Sequence, residues 1–362
     1  AGMSKPPHVE IIAEAGVNHN GSLERALELV DAAADAGADV IKFQTFSADA
    51  IATKSAPKAA YQKRETGEAQ SQYEMLKALE LDEAAHRTLI ARCAERGIEF
   101  LSTPFDFPSL DLLANRLKLT RLKVGSGELT NAPLLLAIAR TRRPVILSTG
   151  MARLEEIEAA LGVLAFGYGE GGAPSESAFQ AAYKSEAGQR ALRANVTLLH
   201  CTSAYPTPDS DINLKAMEAL RREFGLPAGF SDHSVGIEIP IAAAALGAAM
   251  IEKHFTLDKT LPGPDHKASI EPDDLRALVS GVRRVSAALG DGVKEPRGIE
   301  AETADVARKS LVAARPIAEG ELFTEDNLTV KRPGTGLSPL AFWSLLGKPA
   351  PRAFAPDELI GL

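Results

Sequence analysis

Two groups of residues in this sequence have the types and spacing to do chemistry. The first is a pair of histidines. His233 lies in Ser231-Asp232-His233 and His254 in Glu252-Lys253-His254-Phe255, with Asp265 following in Pro262-Gly263-Pro264-Asp265. Imidazole suits Mn, Fe or Zn, and a carboxylate or water can complete a six-coordinate site. A lone histidine is more often a hydrogen-bonded core residue, but a pair with a carboxylate close behind reads as a divalent-metal site. His8, His86 and His266 lack that company and read as surface residues. His19, in Asn18-His19-Asn20-Gly21, is compatible with simple turn chemistry.

The second group is suited to an anion. Gly125-Ser126-Gly127-Glu128 and Ser148-Thr149-Gly150 are short turns in which glycine lets the backbone approach an oxyanion and serine donates to it. Lys42 and Lys123 supply neutralising charge. One such turn is usually just a connection between strand and helix; two turns with two lysines point to a phosphate or carboxylate ligand. A rival reading takes one lysine as a Schiff-base nucleophile, which needs no histidine pair.

These residues must be positioned by something. From about residue 9 to 290, short apolar runs alternate with amphipathic stretches. The runs are Val9–Glu14, Val40–Gln44, Glu99–Thr103, Arg121–Val124, Val145–Ser148, Val196–His200, Ala228–Ser231 and Met250–His254. Most are apolar on both sides, as parallel strands covered on two faces should be. The first helix is explicit: Ser22 caps it, Leu23, Ala26, Leu27, Val30 and Ala33 form one face, and Gly37 ends it. Eight strand–helix units predict a (β/α)8 TIM barrel, with an open doubly wound sheet as the alternative. In a barrel the C-terminal strand ends face the active site. Every run here ends in polar residues: Glu14; Lys42 and Gln44; Thr103; Lys123 and Ser126; Ser148; His200 and Tyr205; Ser231 to His233; His254. Core packing does not explain that, because unpaired buried charge is costly.

The pattern lapses at Gly290-Asp291-Gly292, giving a barrel over 1–290, a charged, turn-rich linker over 291–307 and a small, mostly β domain over 308–362. The glycine-rich stretch Gly167–Pro174 reads as a surface insertion rather than a lid. The chain has 362 residues, 45% of them hydrophobic, which fits an ordinary globular protein of two domains or of one large domain with an appendage. A formal charge of −8 argues against nucleic-acid or anionic-membrane partners, and two cysteines, Cys93 and Cys201, are too few for a disulfide framework or a cysteine-rich zinc site. Ala1-Gly2-Met3-Ser4-Lys5 has no apolar segment of an export signal and reads as added residues before a native methionine. The apolar run Ile239–Ile251 contains a proline and is too short to span a bilayer, so a cytoplasmic protein is expected.

Taken in order along the chain, the motifs resemble those of the sialic acid synthases, including N-acetylneuraminate and legionaminate synthases. They are Ile11–Gly21, Lys42-Phe43-Gln44-Thr45, Ser102-Thr103-Pro104-Phe105, Lys123–Glu128, Ile146–Met151, His200–Pro206, Ser231-Asp232-His233 and Pro262–Asp265. The tail, with Lys331–Gly336, resembles the family's SAF domain, which is similar to type III antifreeze proteins. The resemblance implies that phosphoenolpyruvate is condensed with N-acetylmannosamine and water, giving N-acetylneuraminate and phosphate with C–O cleavage. The alternative sugar is 2,4-diacetamido-2,4,6-trideoxymannose, the substrate of a legionaminate synthase. It further implies that His233 and His254 bind Mn²⁺ or Mg²⁺, and that Lys42, Lys123, Ser126 and Ser148 hold phosphoenolpyruvate with Thr103 and Gln44 nearby. Glu14 and Asp265, with Lys123, form the catalytic set; Glu128 and Tyr205 contact the sugar, and Phe105 and Ser231 belong to the substrate-binding motifs. Arg332 resembles an arginine that the tail inserts into the partner subunit's site, implying a domain-swapped homodimer.

Ser203 departs from the asparagine some N-acetylneuraminate synthases carry there, and the glycine-rich insertion lengthens one connection; both bear on which sugar is used. Ala56–Lys63 disfavours the pseudaminate subgroup. A metal-dependent hydrolase on the same barrel is a remote alternative, since the first strand offers Glu14 and no His-x-His pair. A non-enzymatic ice- or surface-binding role for the tail would leave the inward lysines and histidines without purpose.

Overall fold

The computed structural model describes residues 8–361, so the reading of the stretch around Met3 lies outside the described residues. Eight strands form one parallel sheet: β1 Glu10–Gly16, β2 Val40–Thr45, β3 Glu99–Pro104, β4 Leu122–Val124, β5 Val145–Ser148, β6 Val196–Cys201, β7 Ala228–Asp232 and β8 Met250–His254. Their order is β3-β2-β1-β8-β7-β6-β5-β4. The end strands β3 and β4 lie side by side, so the sheet is a nearly closed barrel, and the open-sheet alternative is excluded.

The strands are apolar on both faces for two different reasons. Outward residues such as Ile11, Ala13, Ile41, Phe43, Leu147, Leu198, Phe230 and Ile251 pack under the helices. Inward residues Ile12, Val40, Leu101, Ile146, Leu199 and Met250 form a separate apolar floor inside the barrel. Because side chains alternate along a strand, the residue two positions beyond each floor residue also points inward, one layer higher. The strand register fixes the chemistry at that height.

The first helix runs Leu23–Asp35; Ser22 Oγ accepts from the Arg25 amide and Gly37 follows at φ +84°. Its buried face is Ala26, Leu29, Val30 and Ala33, with Leu23 and Leu27 only half-buried, so the predicted stripe is rotated to include Leu29. Between β2 and β3 the chain inserts three short helices, Ala48–Ile51, Ala60–Thr66 and Gln72–Leu79. These build a satellite apolar cluster of Val17, Phe46, Met75 and Leu79 with Ile51, Leu76 and Phe105, distinct from the barrel core. The glycine-rich stretch joins helices Leu154–Tyr168 and Glu176–Lys184 and is exposed from Gly169 onward. The apolar run Ile239–Ile251 divides between helix Glu238–Ala245 and β8, and no helix among the described residues is long and apolar enough to cross a membrane.

The chain divides into two units after Gly290. In the second, β9 Ser310–Ala313 and β10 Leu328–Lys331 pair antiparallel, and isolated bridges at Val312–Leu359, Ile317–Phe354 and Leu322–Pro349 complete a β-type weave. Its core is Leu311, Ala313, Ile317, Phe323, Leu328, Leu345, Ala350, Phe354 and Ile360. The segment predicted to be a turn-rich linker carries a helix, Ile299–Ala307, whose Ala307 carbonyl accepts from Arg332 Nε at 3.1 Å.

Candidate active site

Above the apolar floor, each of the eight strands turns one side chain inward: Glu14, Lys42, Thr103, Lys123, Ser148, Cys201, Ser231 and Glu252. All eight line one cavity of about 480 Å³ at the C-terminal end of the barrel. Four of them form a buried ion network. Lys42 Nζ lies 3.1 Å from Glu14 Oε2 and 3.4 Å from Glu252 Oε2, and donates to Thr103 Oγ1 at 3.1 Å. Lys123 Nζ lies 3.6 Å from Glu252 Oε1, which also accepts from Ser231 Oγ at 2.8 Å. Gln44 Nε2 donates to Glu14 Oε1 at 3.3 Å.

The two carboxylates are driven apart by their surroundings. Burial lifts Glu14 to about 7 against the pull of Lys42. Burial would raise Glu252 too, but Lys123, Lys42 and the Ser231 hydroxyl together hold it below the usual carboxylate range. Burial disfavours the charge on Lys42, yet Glu14 and Glu252 keep its ammonium above the ordinary value. For Lys123 burial wins, and its value falls. A protonated, doubly paired Lys42 has the charge to meet an anion and is poorly suited to Schiff-base chemistry, which needs a neutral amine.

The next layer carries the histidines. His233 and His254 have ring centroids 5.4 Å apart, and Tyr205 stacks 4.1 Å from His233 and edge-on to His254 at 5.6 Å. His233 Nδ1 donates to the Thr202 carbonyl at 2.7 Å; burial disfavours the ring's charge, yet Cys201 and the Thr202 carbonyl lift His233 above the ordinary imidazole value. Burial, with His233 and Lys42 nearby, pushes His254 well below the ordinary imidazole value, and its buried Nδ1 has no hydrogen-bond partner. Asp265 lines the same cavity, its carboxyl lifted by burial to about 6 although His233 opposes the rise. Two imidazoles, one anchored through its far nitrogen and one with an unsatisfied nitrogen, fit a divalent cation. Among the described residues no group of three or more His, Cys, Asp or Glu side chains is arranged to hold a metal, so further ligands would be water or substrate.

Ser126 and Ser148 occupy the β4 and β5 side. Ser126 Oγ accepts from the Gly150 amide at 2.9 Å, and the buried Ser148 Oγ has no hydrogen-bond partner. A Cβ on Gly150 would strike the hydroxyls of Ser126 and Ser203, so glycine there lets two βα turns meet. Phe105, Glu128 and Ser203 complete the lining, with Glu128 accepting from Asn131 at 2.7 Å. Arg332 belongs to the second unit, where it is exposed directly after β10.

Several features escaped the sequence reading. Glu252 and Cys201 were passed over in favour of their neighbours, yet alternation on β8 and β6 turns them inward. His200, read as a strand-end site residue, instead faces outward: it bonds the Ile212 carbonyl at 2.6 Å and stacks on Phe230. His86 and His266 are buried, not superficial. His86 bonds Thr45 at 2.7 Å, while His266 bonds Thr256 at 2.6 Å and Asn20 at 2.8 Å. His8 is exposed as expected, and the buried His19 accepts from the Gly21 amide at 2.9 Å, which is turn chemistry. Tyr61, from the inserted helix Ala60–Thr66, reaches the cavity and lies 5.2 Å from Tyr205; no strand-end rule points to it.

Comparison with known proteins adds an independent line. A model of the NeuB family matches residues 29–294, and one of the SAF domain matches residues 308–361. The chain is 49% identical over 350 residues to the N,N'-diacetyllegionaminic acid synthase of Campylobacter jejuni, covering 97% of this chain and 98% of that one. It is 44% identical to the protein of the same name from Legionella pneumophila, covering 93% and 89%. Among solved structures it resembles the N-acetylneuraminic acid synthetase of Leptospira borgpetersenii in complex with citrate: TM-score 0.65, 37% identity, 82% of this chain and 90% of that one.

Proposed function

The chain belongs to the NeuB family of sugar-acid synthases and carries a SAF domain, and on that premise we propose that it condenses phosphoenolpyruvate with 2,4-diacetamido-2,4,6-trideoxymannose and water, giving N,N'-diacetyllegionaminate and phosphate. The observation that carries the reaction is the inward ring of Lys42, Lys123, Thr103, Ser148 and Ser231 in a single cavity with the His233–His254 pair. The sequence reading put N-acetylmannosamine first. The two legionaminic acid synthases support the second sugar instead. N-Acetylmannosamine stays as the competing substrate because the Leptospira protein bears an N-acetylneuraminic acid synthetase name.

In this reading Lys42 and Lys123 bind the phosphate and carboxylate of phosphoenolpyruvate, with Thr103, Ser126 and Ser148 donating hydroxyls and Gln44 flanking them. Ser231 and Glu252 keep the lysines placed. His233 and His254 would hold Mn²⁺ or Mg²⁺, which supplies Lewis-acid polarisation of the sugar aldehyde. Carbon 3 of phosphoenolpyruvate bonds to that aldehyde carbon, whose oxygen takes a proton to become a hydroxyl; water adds at carbon 2 and gives up a proton, and the tetrahedral carbon then loses its hydroxyl proton as the C–O bond to phosphate breaks, leaving the keto group and phosphate. Glu14, lifted by burial, holds a proton near neutrality for the developing hydroxyl, while Asp265 orients water or sugar hydroxyls beside Tyr205 and Glu128. Arg332 serves the partner subunit's site in a domain-swapped homodimer.

Phosphate release with Mn²⁺, measured with each sugar and with none, tests this. Release that needs both metal and sugar, and is faster with the diacetamido sugar, is the expected result. Release without any sugar, or none with either, overturns it.

A further inference from the structure

The strands ring the cavity with polar and ionic side chains on every side, from Glu14, Lys42 and Thr103 on β1–β3 to Lys123, Glu252 and His254 on β4 and β8. Past the ends of β1–β3 the lining changes: the satellite apolar cluster forms a wall there, and all of its members line the cavity. Val17, Phe46, Met75 and Leu79 are buried within that cluster, and Phe46 meets Phe105 edge-on at 6.3 Å. Ile51, Leu76 and Phe105 remain half-exposed. The polar side chains that the inserted helices add to the lining are uncharged: Tyr61 and the amides Gln62 and Gln72. A cluster that only propped up the loop would have no reason to spread its apolar side chains along a cavity otherwise built for anions.

We infer that Ile51, Leu76 and Phe105, backed by Met75, form the subsite for the deoxygenated end of the sugar and select against a hydroxyl at carbon 6. This rests on the condensation proposed above. With the aldehyde at the histidines, the far end of the sugar lies against the apolar wall. A methyl at carbon 6 is covered there, whereas a 6-hydroxyl loses water and gains no partner. The acetamido groups meet glutamine amides, which can both donate and accept. The inserted helices Ala48–Ile51 and Gln72–Leu79 are therefore specificity elements, and the barrel strands supply the reaction.

The test compares two sugars that differ at one position, 2,4-diacetamido-2,4,6-trideoxymannose and its 6-hydroxy counterpart. The wild-type chain is expected to favour the 6-deoxy sugar in kcat/KM by about 10- to 100-fold. Leu76→Gln is expected to shrink that ratio by about tenfold while leaving KM for phosphoenolpyruvate unchanged. Ile51→Thr, at the end of a short surface helix, provides a second probe, and melting curves show which variants are folded. A folded variant whose sugar ratio matches wild type overturns the inference and leaves the condensation standing. Absence of phosphate release by wild type with either sugar overturns the condensation itself, and the inference with it.

Discussion

The proton inventory of the cavity depends on how burial and charge divide four side chains linked in one ion network, Glu14, Lys42, Glu252 and Lys123. Lys42 and Lys123 neutralise Glu252 fully and Glu14 only in part, because both lysines attend Glu252 while Glu14 has close contact with Lys42 alone. The result is one carboxylate held ionised and one lifted to about 7. If Glu14 acts in its protonated form, the active state exists below that value and is lost as the pH rises through it. The pH profile of kcat should therefore show an alkaline fall near 7. Glu14→Gln should lower kcat by about 100- to 10,000-fold and remove that limb from the residual rate. A residual rate that keeps the same fall would assign the titration to another group.

At the scale of elements, strand parity decides which residues meet. On β7 and β8 the inward residues Ser231, Glu252 and His254 alternate with an outward pair, Asp232 and Lys253, which are register partners. Lys253 Nζ lies 2.5 Å from Asp232 Oδ2 and donates to the Ser234 carbonyl at 2.8 Å, while Asp232 Oδ1 accepts from the Ser234 amide. This fully buried pair locks the two strands that present the histidines. Lys253→Met leaves Asp232 unpaired and should cost about 3–5 kcal/mol in a denaturant titration. A loss below about 1 kcal/mol would show that the pair is solvated and does not set the register. The same parity explains what could be read in advance. The eight apolar runs, the Ser22 cap and the residues Glu14, Lys42, Thr103, Lys123 and Ser148 are legible because strand ends and turn glycines are local signals. Glu252 and Cys201 were missed, and His200 misplaced, because polarity at a strand end was counted without fixing which side of the sheet each residue faces. A shift of one residue exchanges those sides. Tyr61 and the apolar wall lie in an insertion whose contacts are non-local. His86 and His266 are buried by partners hundreds of residues apart or on another element, which spacing cannot reveal.

At the scale of the whole molecule, a chain of net charge −8 concentrates its inward cations in one cavity and keeps the barrel and the second unit as separate cores. The proposed swapped homodimer makes a specific prediction. Glu14→Gln and Arg332→Ala chains, each weak alone, should regain activity after mixing, because one site of each mixed dimer unites an intact Glu14 with the partner subunit's intact arginine. No recovery after demonstrated subunit exchange would place Arg332 in its own subunit's site or in none. The most direct test of the reaction itself follows the bridging oxygen of phosphoenolpyruvate. With oxygen-18 between carbon 2 and phosphorus, incubation with Mn²⁺ and the diacetamido sugar should deliver the label to inorganic phosphate, and only when sugar is present. Label retained on the carbon skeleton, or released as labelled pyruvate without sugar, would show P–O cleavage and contradict the condensation.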